Sequence, residues 1–166
     1  MTRAEPVRLN IARKSRKNYL IVCEGYMDVI SMHQAGFTNA VASLGTALTS
    51  GHASLMSRYT KEVLLTYDSD EAGQKAALRG IPILRGGSIS RVVNLAPYKD
   101  PDEFIKAEGQ EAFEKRLSEA MNYFLFEVQV MERQYNLADP EDKTEFYRAI
   151  AKNCWNFRRN WREIII

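Results

Sequence analysis

The chain has 166 residues, of which 45% are hydrophobic and 27% are charged, and its formal net charge is +2. This composition suits one globular domain of ordinary size with an appendage. Its two cysteines exclude a disulfide framework and a zinc ribbon, and no apolar stretch approaches the roughly 20 residues that span a bilayer. The N-terminus lacks the apolar core of a signal peptide, so we expect a cytoplasmic protein without membrane contacts.

The chain begins with a basic segment, residues 1–18. Its first 17 residues carry six Lys or Arg against one Glu. A basic end permits binding to a polyanion, but the total charge does not demonstrate it. The run RKSRK at 13–17 is more typical of a solvated surface than of a nucleic-acid site, although its position before the first strand leaves the second role open.

From residue 19 onward, short apolar runs alternate with helical patterns. The apolar runs predict four strands, at 19–23, 40–44, 62–67 and 90–95. The helical patterns between them lie at 26–36, at 49–59 and from 71 onward. Strand–helix alternation with short connections predicts an α/β fold, in which a four-stranded, mainly parallel sheet is flanked by helices.

The first of these helices has the sequence YMDVISMHQAG. Its spacing predicts that Met27, Ile30 and Ala35 face inward and that Gly36 ends the helix.

After residue 101 the pattern changes to helix alone. One apolar stripe recurs at three- and four-residue steps from 113 to 135, and a second runs from 146 to 161. We expect two antiparallel helices here. The resulting division is a basic lead-in at 1–18, an α/β domain at 19–108 and a helical subdomain at 109–166.

Carboxylates directly follow two of the predicted strands. Glu24 comes after the first strand, and Asp68 and Asp70 come after the third. Ligands bind beyond the carboxyl ends of strands in an open parallel sheet, so these side chains meet at one edge if the strands are neighbours. A cation would offset their repulsion, and Mg²⁺ prefers such oxygen ligands and shares its coordination with substrate phosphates. The pattern favours phosphoryl or nucleotidyl transfer with one or two metal ions.

Some of the acids have an alternative role as helix caps. Asp28 and Asp70 both begin helical segments, and capping and ligand binding have similar weight for either residue alone. Asp100 precedes Pro101 and lies three residues before Glu103, as in a capping box, so its residue pattern favours the cap.

Glu24 has no such alternative, because it follows an apolar strand and precedes a glycine. Gly25 is expected to allow either a close backbone approach or an unusual φ. The chain contains no GxxxxGK[ST] phosphate-binding loop, so the carboxylates are its main candidates for chemistry.

Four blocks, VCEGYMDVI, ASLGTALT, LLTYDSDEAGQKAALR and KDPDEFI, closely resemble in their order and spacing the Toprim segment of bacterial DnaG-type primases. The resemblance runs from about residue 9 to residue 150, and the EGYMD form favours primases over topoisomerases. It implies a Toprim, Rossmann-like fold. It also implies a DNA-directed RNA polymerase activity that makes RNA primers for DNA replication by Mg²⁺-dependent nucleotidyl transfer, with Mn²⁺ as a possible substitute.

The resemblance also implies roles at matching positions. Glu24 becomes a metal ligand or a proton acceptor near the attacking 3′-hydroxyl. Asp68 and Asp70 become metal ligands and complete the catalytic set. Asp100 and Asp102 match an acidic pair that helps to hold a further metal. The supporting positions are Asp28, Gly25, Gly45, Thr46 and Gly73.

The partners that the resemblance implies are a single-stranded DNA template, nucleoside triphosphates, the RNA primer and the replicative helicase, the last through a domain absent from this chain. Such primases carry a zinc-binding domain and the first half of the polymerase core ahead of this segment. We therefore interpret the chain as a piece of a polymerase core that binds metal, and the sequence leaves open whether it makes primers alone. Residues 154–166 continue the helical stripe but do not resemble the family.

Two alternatives remain. In the first alternative to a primase, the chain is another Toprim enzyme, related to nucleases or topoisomerases. In the second, it is a catalytically silent module that binds a metal or a partner. A phosphatase of the haloacid dehalogenase type is disfavoured, because its DxD follows the first strand whereas the motif here follows the third.

Overall fold

The structure is a computed structural model that describes residues 6, 8–43, 48–84 and 88–164, with the side chains of the last helix described as far as residue 154. The chain forms two compact units, Met1–Tyr123 and Phe124–Ile166. Gly45 and Thr46, which the resemblance placed among the supporting positions, lie outside the described residues.

The first unit contains the sheet and the helices that cover it. Its described elements are α1 (Leu9–Ala12), β1 (Tyr19–Cys23), α2 (Tyr26–Gln34), β2 (Ala40–Ala42), α3 (Ser50–Met56), β3 (Glu62–Thr66), α4 (Glu71–Leu84), β4 (Ile89–Val92), α5 (Pro101–Ser118) and β5 (Met121–Asn122). Two further helices follow, α6 (Tyr123–Glu132) and α7 (Pro140–Ile164). The α/β prediction is therefore confirmed.

In the described part of the chain the sheet has five strands in the order β2-β1-β3-β4-β5. The first four pair in parallel, as predicted, and β4 pairs with β5 in antiparallel. We predicted four strands and only helices after residue 101. Both predictions were wrong, because β5 adds a fifth strand at the edge of the sheet. A two-residue strand carries no periodic signal of its own, because its pairing with β4 defines it.

β1 and β3 lie side by side at the centre of the sheet. They pair in register from Tyr19↔Glu62 to Cys23↔Thr66, so both strands end at the same edge. Each is buried after its first residue, which explains why continuous apolar runs encode them. The predicted strand starts agree with the structure to within one residue, and the observed strands end up to three residues earlier.

The orientation predicted for α2 was wrong at Met27, which is 55% exposed. Ile30 is only partly buried, whereas Ala35 packs against the core as predicted. Val29 and Met32 instead lie in the core. The prediction chose a face from apolar side chains alone, whereas this helix turns a carboxylate inward beside its apolar residues.

The helix α2 ends at the predicted glycine, and a threonine side chain caps the next helix, α3. Gly36, just after α2, has a φ of 92°, a conformation that favours glycine at the end of a helix. Thr49 precedes α3, and its side chain accepts a hydrogen bond of 3.2 Å from the backbone N–H of His52.

α5 packs against the sheet side that α2 also covers. Phe113 makes edge-to-face ring contacts with Phe37 and Phe104, with centroid distances of 5.1 and 5.5 Å. Gly109, at φ 82° and ψ −179°, divides α5 into two helical halves. The predicted division at 108/109 thus falls at a kink within the first unit, whose contacts continue to Tyr123.

The second unit contains most of α6 and the whole of α7. The apolar stripe predicted to run unbroken from 113 to 135 is interrupted, because β5 lies between α5 and α6. Phe146 is buried, and its ring contacts Tyr135 and Tyr147 at centroid distances of 5.7 Å each. The antiparallel arrangement of two helices stays a prediction. None of the described helices is long and apolar enough to cross a membrane.

Candidate functional site

The carboxyl edge of the sheet brings the first predicted acids together. Glu24 directly follows β1, and Asp68 comes two residues after the end of β3. Because β1 and β3 are neighbours in register, both side chains emerge at the same edge. Glu24 is partly buried, and the side chain of Asp68 is only 22% exposed.

Charge repulsion and burial act on both carboxyls. Partial burial, followed by the charges of Asp68 and Asp70, raises the pKa of Glu24. Burial is also the largest cause that raises the pKa of Asp68; the charges of Asp100 and Asp70 add to it, and Lys99 opposes it. These shifts show that residues from three loops share one electrostatic site.

The loop after β3 is held tightly against the start of α4. Asp70 caps this helix, because its Oδ1 accepts a hydrogen bond of 2.8 Å from the backbone N–H of Gly73. A Cβ on Gly73 would overlap the backbone carbonyl oxygen of Asp68 and lie 2.8 Å from the Asp68 nitrogen. Glycine at position 73 therefore allows the helix to approach the loop that carries both aspartates.

Asp100 is a helix cap, as its residue pattern favoured. Its Oδ1 accepts a hydrogen bond of 2.8 Å from the N–H of Glu103, and Pro101 occupies the first turn of α5. Glu103 accepts in turn from the backbone N–H of Lys99, one residue earlier than in a standard capping box. The Lys99 carbonyl accepts a hydrogen bond of 2.8 Å from the N–H of Ser69, which joins this loop to the one after β3.

Asp28 lies in the first turn of α2 and faces the acidic edge. The N-cap position belongs to Gly25, whose N–H donates a hydrogen bond of 3.0 Å to Oδ2 of Asp28. Asp28 therefore does cap α2, but from the third helical position and not as the N-cap residue. Asp28 is buried, and burial raises its pKa to about 6, with further contributions from the charges of Asp100, Asp68 and Asp102.

Gly25 has extended backbone angles, φ −103° and ψ 158°, so the expectation of an unusual φ was wrong. The expected close approach is confirmed, because a Cβ at this position would lie 3.0 Å from Oδ2 of Asp28.

Asp102 is held from two sides. Ser31 on α2 donates a hydrogen bond to its Oδ1, and Lys106, one turn along α5, pairs with its Oδ2 at 2.6 Å. The hydrogen bond from Lys106 is the main cause that lowers the pKa of Asp102. The sequence reasoning missed both partners. The four-residue spacing to Lys106 could have revealed one of them, whereas nothing in the sequence links Ser31 to α5.

The structure thus brings together the six acidic side chains that the sequence singled out, but they do not form a complete set of metal ligands. Among the described residues, no group of three or more His, Cys, Asp or Glu side chains could hold a metal ion as it stands. The acids that share this site are Glu24, Asp28, Asp68, Asp70, Asp100 and Asp102.

A family model described as Toprim-like matches residues 21–105. This stretch is just over half of the chain and contains all six acids of the site. The chain belongs to the Toprim-like family. The Toprim fold that the sequence resemblance implied is confirmed.

Relatives of this Toprim-like chain include bacterial DNA primases. The DNA primase of Clostridium acetobutylicum is 41% identical over 146 residues, which are 87% of this chain and 24% of the relative. A DnaG primase catalytic domain solved with bound single-stranded DNA is 36% identical, has a TM-score of 0.71, and aligns over 86% of this chain and 48% of its own. A DNA primase domain from Pseudomonas aeruginosa is 33% identical, with a TM-score of 0.74 and coverages of 85% and 46%. The predicted resemblance to DnaG-type primases is confirmed, and the Toprim-like chain spans about a quarter of the curated primase.

Proposed function

We propose that this chain is the Toprim part of a DNA primase and contributes the acidic site for Mg²⁺-dependent nucleotidyl transfer in RNA primer synthesis. The observation that carries this proposal is the convergence of Glu24 with Asp68 and Asp70 beyond the ends of two adjacent parallel strands. The similarity to DNA primases supports nucleotidyl transfer as the reaction at these acids.

The donor chemistry of the site suits Mg²⁺. All of its candidate ligands are carboxylate oxygens, and the pKa values of Glu24 and Asp68 are raised in part by neighbouring negative charge, which a divalent cation would relieve. Asp70 and Asp100 each use Oδ1 for capping, a role compatible with ligation through Oδ2. As they stand, the described side chains of these acids do not form a metal-ligand group. After their side chains rearrange, Glu24, Asp68 and Asp70 would hold one ion, and Asp100 with Asp102 would help to hold another. A cation bound there would stabilise the negative charge that develops on the attacking and leaving oxygens.

The chain's own residues would orient the metal-binding carboxylates and accept a proton from the attacking hydroxyl. Where Glu24 does not ligate the ion, it would accept a proton from a 3′-hydroxyl, because burial, the largest cause that raises its pKa, makes it a stronger base than an ordinary glutamate. The cap formed by Asp70 and the close approach at Gly73 fix the loop that presents Asp68.

The partners we propose follow from the same similarity. Single-stranded DNA is the template, because a structurally similar primase domain was solved with single-stranded DNA bound. Nucleoside triphosphates and the RNA primer share the acidic site. The primase would bind the replicative helicase through a domain outside this chain.

The test of this function is primer synthesis on single-stranded DNA with labelled ribonucleotides, by a primase that carries this segment, compared with its Asp68→Asn form. We expect Mg²⁺-dependent RNA products that the substitution reduces by at least a hundredfold, as for the loss of a group that stabilises transition-state charge. Cleavage of the DNA without synthesis would favour a nuclease or topoisomerase relative. Indifference to Mg²⁺ and to Asp68→Asn would favour a silent binding module.

A further inference from the structure

A lysine lies among the acids of the proposed metal site. The ammonium of Lys99 is 3.8 Å from Oδ2 of Asp68. The Lys99 side chain is 64% exposed, whereas the Asp68 side chain is 22% exposed. The positive charge of Lys99 also acts on Glu24, where it opposes the effects of burial and of neighbouring acids on the pKa. The positive charge of Lys99 therefore acts on the carboxylates that follow both β1 and β3.

The backbone of Lys99 is held by two hydrogen bonds, whereas its ammonium has, among the described residues, only the 3.8 Å ion pair with Asp68. Its carbonyl accepts from the N–H of Ser69 at 2.8 Å, and its own N–H donates to Glu103 at 2.7 Å. These bonds tie Lys99 to the loop that carries Asp68 and to the first turn of α5. The long exposed side chain can nevertheless swing towards solvent, because a loose, exposed ion pair contributes little free energy.

The lysine at the other end of the site is held more closely. Lys106 pairs with Asp102 at 2.6 Å, and Ser31 donates to the second oxygen of the same carboxylate. Asp102 thus has protein partners on both oxygens, whereas the pair between Lys99 and Asp68 is the looser of the two. A cation that enters the site meets less resistance at Asp68.

We propose that Lys99 is a resident counter-ion of the acidic site, which a divalent cation displaces from Asp68 when it binds. Lys99 then limits repulsion among the acids while the metal is away and weakens the apparent affinity for the metal by competing with it. This inference rests on the proposed function, because it takes the metal to bind at Asp68.

The test is the binding of Mn²⁺, measured by electron paramagnetic resonance of the free ion, to the unaltered chain and to Lys99→Met. We expect Lys99→Met to bind Mn²⁺ about two- to five-fold more tightly, which corresponds to the free energy of an exposed ion pair. Lys99→Arg restores the original affinity, because it keeps the charge. The matched control is Lys115→Met, since Lys115 pairs with Glu119 at a similar 3.9 Å on α5 and is 77% exposed.

Unchanged or weaker Mn²⁺ binding by Lys99→Met would overturn the inference, and so would an equal gain in Lys115→Met, which would reflect net charge alone. Asp68→Asn separates this failure from that of the proposed function. If Asp68→Asn abolishes Mn²⁺ binding and Lys99→Met leaves it unchanged, the metal site stands and only the counter-ion role of Lys99 is contradicted. Binding that survives Asp68→Asn, or no binding by the unaltered chain, contradicts the proposed metal site and the counter-ion role with it.

Discussion

At the scale of single residues, the sequence predicted which acids lie together beyond the ends of the strands but not which polar groups hold them. Glu24, Asp68 and Asp70 were identified because each follows a predicted buried strand. Ser31 and Lys99 were missed because their contacts join segments far apart in sequence or loops without periodicity. Hydrophobic periodicity reports which face of an element is buried, and it carries no information on which polar groups meet across elements.

Gly73 provides the sharpest structural test at this scale. Gly73→Ala forces a Cβ into the backbone of Asp68, so we expect a loss of about 1–3 kcal/mol in the free energy of unfolding. Urea denaturation measures it. The control is Gly51→Ala in α3, where the nearest atom to a Cβ is Thr49 Oγ1 at 3.6 Å, and here alanine should stabilise by about 0.5–1 kcal/mol. Equal effects at the two positions would contradict the close packing of α4 on the loop.

Asp28 predicts a pH dependence of stability. Its pKa of about 6 lies above the ordinary aspartate value, so the folded protein holds this proton more tightly than the unfolded chain. Its contribution to stability is therefore fully present below about pH 4 and is lost as the pH rises through about 6. In metal-free buffer, Asp28→Asn should be more stable than the unaltered chain at pH 8, by about 1–3 kcal/mol, and this difference should shrink towards pH 4.

Calorimetric unfolding of both proteins at pH 4 and pH 8, with a chelator present, measures that difference. A difference in stability that does not change with pH would show that Asp28 titrates normally.

At the scale of elements, the central strands were predictable because they are buried on both faces and therefore appear as continuous apolar runs. β5 was not predictable, since a two-residue strand exists only through its pairing with β4. The face of α2 was misassigned for a related reason. The helix buries the carboxylate of Asp28, so polarity does not indicate its solvent side.

The bond between Ser31 and Asp102 predicts how α2 and α5 support each other. Ser31→Ala removes a donor to a carboxylate, and we expect a loss of about 0.5–1.5 kcal/mol in stability. Ser57→Ala is the control, because the Ser57 hydroxyl donates to the carbonyl of Ser54 in its own segment. Chemical denaturation compares the two, and a loss as large for Ser57→Ala would show that the bond does not link the helices.

At the scale of the whole molecule, the sequence predicted the α/β unit more reliably than the helices after it. Strand and helix alternation is a local signal repeated several times, so errors at single boundaries do not change the topology. The helical segment depends on tertiary pairing, as the interruption at β5 shows. The family was predictable because four ordered motifs carry it, and the family match over residues 21–105 contains all six acids of the site.

The central claim is that the acids beyond β1 and β3 hold a divalent cation, and calorimetric titration of Mn²⁺ into the chain and into Asp68→Asn tests it directly. The control is Glu111→Gln, which removes one exposed negative charge from α5 outside the acidic cluster. We expect the unaltered chain and the control to bind Mn²⁺ with similar affinity and Asp68→Asn to lose at least tenfold, about 1.4 kcal/mol of binding free energy. Equal binding by all three, or binding by none, would contradict the claim and reduce these acids to helix caps and surface charge.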